Sequence, residues 1–450
     1  MSPSRGVTPL LRYAGAGAGL GIVSLLLPRE LPAALAVFGA LAVPVALWLA
    51  SRPDRAEARV LVAIFLGAAL TRAAVAITIA YGVPAEYFAL DQRLYQRIGW
   101  EIAESWAGRG TAPEPITDKS GYYVWNALVY SVVGNVPLAA ALCNAVAGGL
   151  SAILAYRLAG EVAGARAGRV AALLAGFFPS LVLWSSLNLK DAFAILAILA
   201  ALRGGQGLQT RFSLASAALL AAGLLGLAQL RTYLVVVLAV SLAVGLVLPR
   251  LRQAAAPATL AVWLVLCVLV IRFAGSFETL TDGAALEELG RHRRNLALGE
   301  SVYHGDVDIS TPGRALRFLP IGLAYFLLAP APWQLWNSRQ WLTLPEMLAW
   351  YALLPQVFFG LRHALRTRSH AALPLATFAL LGTVSYALVE SNLGTAYRHR
   401  AQVLVLFLIF AAVGLATRHA RCAASQRPAA TPNRGVRVLG TGPPAPAAAP

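Results

Sequence analysis

The sequence predicts an all-α polytopic membrane protein with about 12 transmembrane helices and two long loops on the outer face. Three observations carry this expectation. The 450 residues are 58% hydrophobic and only 13% charged, with a mean hydropathy of +0.66, whereas soluble domains carry roughly 25% charged residues. Apolar runs of helix-spanning length recur along the chain between Arg, Pro and polar clusters. The positive charge is periodic, marking every second connection.

In order, the predicted spans are Leu10 to Leu27, Leu31 to Ala50, Val60 to Tyr81, Val136 to Ala159, Val170 to Ser185 and Ala192 to Leu202. Phe212 to Ala228, Tyr233 to Leu248, Ala256 to Phe273, Pro345 to Leu361, Ala371 to Val389 and Ala401 to Ala416 complete the set. With the N-terminus inside, the inner connections hold 20 basic residues and only Asp54, Glu57 and Glu161 as acids. The rest of the chain balances 17 bases with 17 acids, so the net charge of +17 sits on the cytoplasmic side, as the positive-inside rule requires. A nucleic-acid binder would gather its bases on one patch, and none is expected as a partner. Both termini are expected in the cytoplasm of a multi-pass protein of the plasma (inner) membrane.

One domain, residues 1–420, is expected, with outside loops at 82–135 and 274–344 and a disordered, Ala/Pro-rich cytoplasmic tail at 421–450. The first apolar stretch reads as a retained helix, without a clean cleavage site. Phe318 to Pro330 is apolar, but a span there would put Arg362, Arg366 and Arg368 outside. Its Pro- and Trp-rich flanks (Pro320, Pro330, Pro332, Trp333, Trp336, Trp341) fit a re-entrant or interfacial segment. Cys143, Cys267 and Cys422 form neither a disulfide framework nor a metal-type spacing. No Gly-rich phosphate loop, zinc spacing or nucleophile elbow is present, and no metal or cofactor is expected.

Chemistry is expected where polar residues crowd the outer connections. In the first loop Leu90, Leu94, Ile98, Ile102 and Trp106 recur every fourth residue, predicting an amphipathic interfacial helix with Asp91 in its first turn and Tyr95 one turn later. Asp91 serves either the helix dipole or as a general base, a partly dehydrated carboxylate deprotonating an acceptor hydroxyl that attacks a sugar carbon bearing a phosphate leaving group. Lys190 and Asp191 end the run 176–192 between two spans. Lys190 suits a phosphate contact, and an ionisable pair at a span end is a functional hypothesis by default; snorkelling and helix capping are the plainer roles. Arg231 tops another outer turn as an anchor or a phosphate contact. Glu390 to Arg400 packs Arg398, His399 and Arg400 before the last span, on the face where orientation gives no reason for positive charge. Arg72 points at the same cavity or snorkels. The second loop offers Glu287, Glu288, His292, Arg293, Arg294, Tyr303, His304 and Asp306-Val307-Asp308, the last read chiefly as a turn.

At these residues the sequence resembles the membrane-embedded glycosyltransferases of the C superfamily, particularly bacterial polyprenyl-phosphate-sugar enzymes related to protein mannosyltransferases and lipid A aminoarabinose transferases. The similarity covers Tyr81 to Leu202, with Asp91, Tyr95 and Ala103, then Tyr130, Gly134, Asn144, Gly149, Tyr156, Gly164 and Phe178-Pro179, and extends to 390–417 through Tyr397-Arg398-His399-Arg400. The chain departs from the family in having two spans before the loop-bearing third and Gln92 beside Asp91.

The resemblance implies an inverting enzyme that needs no cofactor and takes a sugar from a polyprenyl phosphate to a lipid, glycan or protein acceptor. Asp91 would be the catalytic base, with Tyr95, Lys190, Asp191, Arg231, Arg398, His399 and Arg400 binding substrate at the outer face. The rival readings are a polysaccharide polymerase, relying on the second loop, and a lipid-linked oligosaccharide flippase, which needs polar residues along its span interiors.

Overall fold

A computed structural model describes residues 30–84, 87–111, 120–210, 212–250, 285–297, 301–335 and 338–425, with Pro28 and Pro113. The expected spans at Leu10 to Leu27 and Ala256 to Phe273, and the tail beyond 425, lie outside the described residues. Among the described residues the chain is all α-helical, apart from one 3-10 turn and one isolated β-bridge. Six of its helices are long and apolar enough to cross a membrane.

Helices α1 (Glu30–Ala50) and α2 (Arg55–Gly82) are joined by a turn in which Asp54 caps α2, its carboxylate accepting from the amides of Ala56 at 2.9 Å and Glu57 at 3.0 Å. The first loop folds into α3 (Asp91–Trp106) and α4 (Ser120–Val133), packed on one another. The buried face of α3 is Tyr95, Ile98, Gly99 and Ala103, whereas Leu90 and Trp106 are exposed. A strict fourfold repeat gains about 40° per step on a helix of 3.6 residues per turn, so the two ends of the expected stripe rotate off the buried face.

Helix α5 (Pro137–Phe177) is two arms rather than one rod. Ala163 and Gly164 leave helical geometry, Gly164 at φ +80°, which a side chain would oppose. Gly168 then lies against Tyr156 and Gly176 against Ala152, the pairing of an antiparallel hairpin. The second arm breaks at Phe178, extended as residues before proline are, and resumes as α6 (Pro179–Ser185).

This break strands backbone groups that the protein recovers from two other helices. Ala175 has its carbonyl facing Pro179, which has no N–H to give, and Arg72 donates to it at 3.2 Å and to the Gly176 carbonyl at 2.5 Å. The Ser180 amide donates to the Glu346 carboxylate at 2.6 Å instead of back to Gly176. Arg72 also donates to Ser185 Oγ at 2.6 Å and Ala68 O at 3.0 Å, so this buried side chain is spent on the break.

The chain continues through α7 (Asp191–Thr210), α8 (Leu214–Ala228), α9 (Thr232–Arg250), α10 (Ala285–Leu296) and α11 (Pro312–Leu328). A 3-10 turn at Pro332–Gln334 and the short α12 (Ser338–Trp341) lead to α13 (Leu344–Thr367), α14 (Ser369–Val389) and α15 (Leu393–Ser425). Helices α5 and α15 form the centre, buried nearly all round, while α1 shows most of its surface outward. α13 and α15 touch backbone to backbone: a Cβ on Gly414 would sit 2.2 Å from the Gln356 carbonyl oxygen, so only glycine fits there.

In α11, Phe318, Gly322 and Phe326 meet Leu388, Ala387 and Tyr386, all in the last turn of α14. α11 therefore crosses the end of α14 instead of running along it. At the opposite end of the bundle Glu57 pairs with Arg169, and Glu161 lies 3.7 Å from Arg203.

Candidate functional site

Four helix ends converge at the end of the bundle that holds the 186–190 turn. Asp191 opens α7, Arg231 precedes α9, Arg398 lies in the second turn of α15, and Asp91 opens α3. Asp191 is fully buried and accepts from Arg231 Nη2 at 2.7 Å, Gln402 Nε2 at 3.0 Å and Arg398 Nε at 2.7 Å, with Arg398 Nη2 also 2.7 Å away. A buried carboxylate is tolerable only when so paired.

Arg231, Asp191 and Gln402 belong to a closed ring. Arg231 Nη1 donates to Tyr233 OH at 2.9 Å, the Tyr233 and Tyr386 hydroxyls are 3.0 Å apart, and Tyr386 OH donates to Gln402 Oε1 at 2.6 Å. Since Tyr386 gives its proton to Gln402, Tyr233 gives its own to Tyr386. Each link around the ring then joins a donor to an acceptor, while Arg231 Nε stays without a partner among the described residues.

Asp91 closes the site on its exposed side. Its Oδ2 accepts from Arg398 Nη1 at 3.0 Å, and its side chain is 40% exposed against 10% for Arg398 and 0% for Asp191. Arg398 thus carries a planar fork with one edge on a buried carboxylate and the remaining nitrogen on an accessible one. Beneath Asp91, Tyr95 is buried with its ring edge-on to Tyr122, 4.8 Å between centroids, and its hydroxyl has no partner among the described residues. Burial pushes the Tyr95 phenol up, which keeps it a neutral donor.

The other expected residues separate. Lys190 Nζ donates to the Leu230 carbonyl at 2.9 Å, fastening the α6–α7 turn to the α8–α9 turn. His399 turns from Arg398 to Glu390, Nδ1 to Oε1 at 2.5 Å, with its ring stacked on Tyr386 at 5.3 Å. Glu390 also accepts from Thr395 Oγ1 at 2.7 Å. Burial raises the Glu390 pKa, but the neighbouring His399 and the Thr395 hydroxyl outweigh it and hold the carboxyl below its ordinary value. Arg400 points away, donating to Leu327 O at 2.9 Å and lying over Tyr397. In the second loop Asp308 accepts from the Ser310 amide at 2.8 Å and pairs with Arg314, a turn at the start of α11.

A second network sets the 186–190 turn. Asn144 Nδ2, with two hydrogens to give, lies 2.6 Å from the Leu187 carbonyl, 2.8 Å from the Leu189 carbonyl and 2.9 Å from Tyr122 OH, and Tyr122 OH donates to Asn188 Oδ1 at 2.8 Å. Asn188 Nδ2 reaches Asn126 Oδ1 at 2.9 Å, and its amide donates to Gln92 Oε1 at 3.1 Å. Gln92 therefore ties the helix of Asp91 to the turn of Asp191.

Sequence reading passed over Gln402, Tyr233, Tyr386, Glu346 and the pairing role of Glu390. A signal existed for two: Gln402 stands just inside the last apolar run and Glu346 in the first turn of another, where polar residues are costly enough to suggest a purpose.

Neither protein-family models nor curated proteins give a match to this chain. Among solved structures it is similar to the archaeal oligosaccharyltransferase AglB from Archaeoglobus fulgidus, solved with an inhibitory peptide and a dolichol-phosphate, at 14% identity and a TM-score of 0.44. It is also similar to the Archaeoglobus fulgidus oligosaccharyltransferase in the apo form, at 13% identity and a TM-score of 0.44. In each case 80% of this chain is covered, and it spans about half, 51%, of the neighbour's length. An overlap at this level carries neither an activity nor a residue's role.

Proposed function

We propose that the chain is a membrane glycosyltransferase that moves a sugar from a polyprenyl-phosphate donor to an acceptor hydroxyl on the outer face, with Asp91 as general base. The observation that carries this reading is the placement of Arg398 between buried Asp191 and accessible Asp91. Asp191 is fully engaged in holding Arg398 and Arg231. Asp91 is held by Arg398 from its exposed side and is the carboxylate an incoming anion can displace. A donor phosphate taking that nitrogen would sit beside the Asp91 carboxylate, which puts a base next to the sugar it carries.

The step balances as follows. The acceptor O–H gives its proton to Asp91, and its oxygen forms a bond to the anomeric carbon with inversion. The bond from that carbon to the phosphate oxygen breaks, and its electron pair stays on the phosphate. Arg398 neutralises the charge that develops there, with Arg231 and Lys190 contributing their field from fixed positions. The polyprenyl tail remains in lipid while its phosphate meets cations at the bundle end.

The test is binding and transfer with Arg398→Lys and Arg398→Met in reconstituted protein. Both variants lose affinity for polyprenyl monophosphate and transfer from polyprenyl-phosphate sugars, Met more than Lys, because a point cation keeps charge and loses the fork. Undiminished affinity in Arg398→Met sinks the reading.

A further inference from the structure

The second outer loop is knotted to the α14–α15 turn through a single arginine. Arg293, in α10, is wholly buried, and its guanidinium donates to the carbonyls of Leu388 at 3.2 Å and Glu390 on one side, and of Tyr303 at 3.4 Å and His304 at 2.7 Å on the other. It lies over the Phe318 ring at 4.3 Å from the centroid. Ser391 Oγ donates back to the Arg293 carbonyl at 2.6 Å.

Beside this knot the two segments pair as strands. The Tyr303 amide donates to Ser391 O at 2.8 Å and the Leu393 amide to Ser301 O at 2.9 Å, which makes Val302 and Asn392 a non-hydrogen-bonded antiparallel pair. His304 holds a left-handed φ of +47°, a conformation that costs energy for a side chain and that aims its carbonyl at Arg293. The segment so gripped, 388–393, leads directly into α15. Glu390 then fixes His399 and Thr395 in the first turns of that helix, with Arg398 between them in sequence.

We infer that Arg293 is a positioning residue: by strapping residues 301–304 to the 388–393 turn it sets the first turns of α15, and so the place of Arg398 between Asp91 and Asp191. It touches none of those three groups itself. The inference rests on the lipid-phosphate reading for its consequence, and on the backbone contacts alone for its geometry. A lysine cannot replace it, because the four carbonyls in two segments take the four N–H groups of a planar guanidinium's two Nη nitrogens, and an ammonium has three.

The experiment uses Val302→Cys/Asn392→Cys in full-length protein, alone and with Arg293→Met or Arg293→Lys. Paired cysteines at a non-hydrogen-bonded site lie within disulfide reach, so oxidation by copper phenanthroline closes the strap covalently. Oxidised and reduced forms of one protein are compared, which cancels the loss of the Asn392 cap on the Gly394 amide.

With Arg293 present the cross-link forms readily; Arg293→Met slows it and weakens polyprenyl-monophosphate binding by about tenfold, the worth of one hydrogen bond to a charged group. Oxidation then restores the affinity, which a general loss of folding would not allow, and Arg293→Lys falls between.

Cross-linking at the wild-type rate in Arg293→Met overturns the strap. Affinity that is unchanged by Arg293→Met, or not rescued by oxidation, overturns its link to Arg398. If the wild type binds no polyprenyl monophosphate, the donor reading fails, while a cross-link that needs Arg293 still carries the strap.

Discussion

Arg398 and Asp91, 307 positions apart in sequence, meet at 3.0 Å, and the same guanidinium reaches Asp191 at 2.7 Å. The two carboxylates differ in what they can do there. Asp191 is sealed among Arg231, Arg398 and Gln402, while Asp91 is two-fifths exposed. One anchors the cation from inside the bundle, and the other meets it at the accessible edge.

The anchor is the first prediction. Asp191→Ala leaves two buried guanidiniums without their carboxylate, a change that typically costs about 3–5 kcal/mol. Thermal unfolding in detergent reads it as a large drop in Tm. Asp191→Asn, which keeps an acceptor for Arg231, falls less.

Arg72 distinguishes structure from chemistry. Because it serves the carbonyls stranded at the Phe178–Pro179 break, Arg72→Met destabilises the protein by about 1–3 kcal/mol, the cost of orphaned buried groups. The folded fraction binds polyprenyl monophosphate as the wild type does. A loss of affinity with unchanged Tm would place Arg72 in the site after all.

Of the two arginines in the 398–400 cluster, only Arg398 faces the carboxylates. Arg400→Gln therefore retains phosphate affinity where Arg398→Met loses it, as a parallel titration of the two variants measures. Equal losses in both would mean that the cluster acts as a diffuse field.

Glu390 gives the pH dependence. Its carboxyl is held below the ordinary value of 4.5 in the folded protein, so the unfolded state binds a proton first as pH falls. The stability it contributes is complete above about 4.5 and is lost as pH drops through the lower folded value. The Tm advantage of wild type over Glu390→Gln is therefore present above pH of about 4.5 and is lost well below it. An advantage that persists undiminished in strong acid, well below the ordinary carboxyl value, contradicts the assignment.

Much of this arrangement was legible in the sequence, for identifiable reasons. Apolar runs pointed to the helical class, and the helix opening at Asp91 followed from apolar residues at every fourth position. The grouping of Asp91, Asp191, Arg231 and Arg398 followed from placing each beyond a span end on one side. What stayed hidden were partners chosen by rotation about a helix axis. Arg398 and Arg400 are two residues apart and face different neighbours, and Lys190 and Asp191 are adjacent yet serve different groups. Sequence reading took Lys190 and Asp191 together as one ionisable pair, whereas it is Asp191 that joins Arg231, Arg398 and Gln402. The stitching of the Phe178–Pro179 break by Arg72 and Glu346 was illegible, because it depends on which helices lie beside the break.

The most direct test of the central claim is the affinity of Asp91→Asn for polyprenyl monophosphate, measured beside its rate of sugar transfer. If Asp91 and the donor phosphate take turns on Arg398, removing the carboxylate charge tightens phosphate binding while transfer collapses for want of a base. Weakened binding, or transfer at the wild-type rate, would contradict the account.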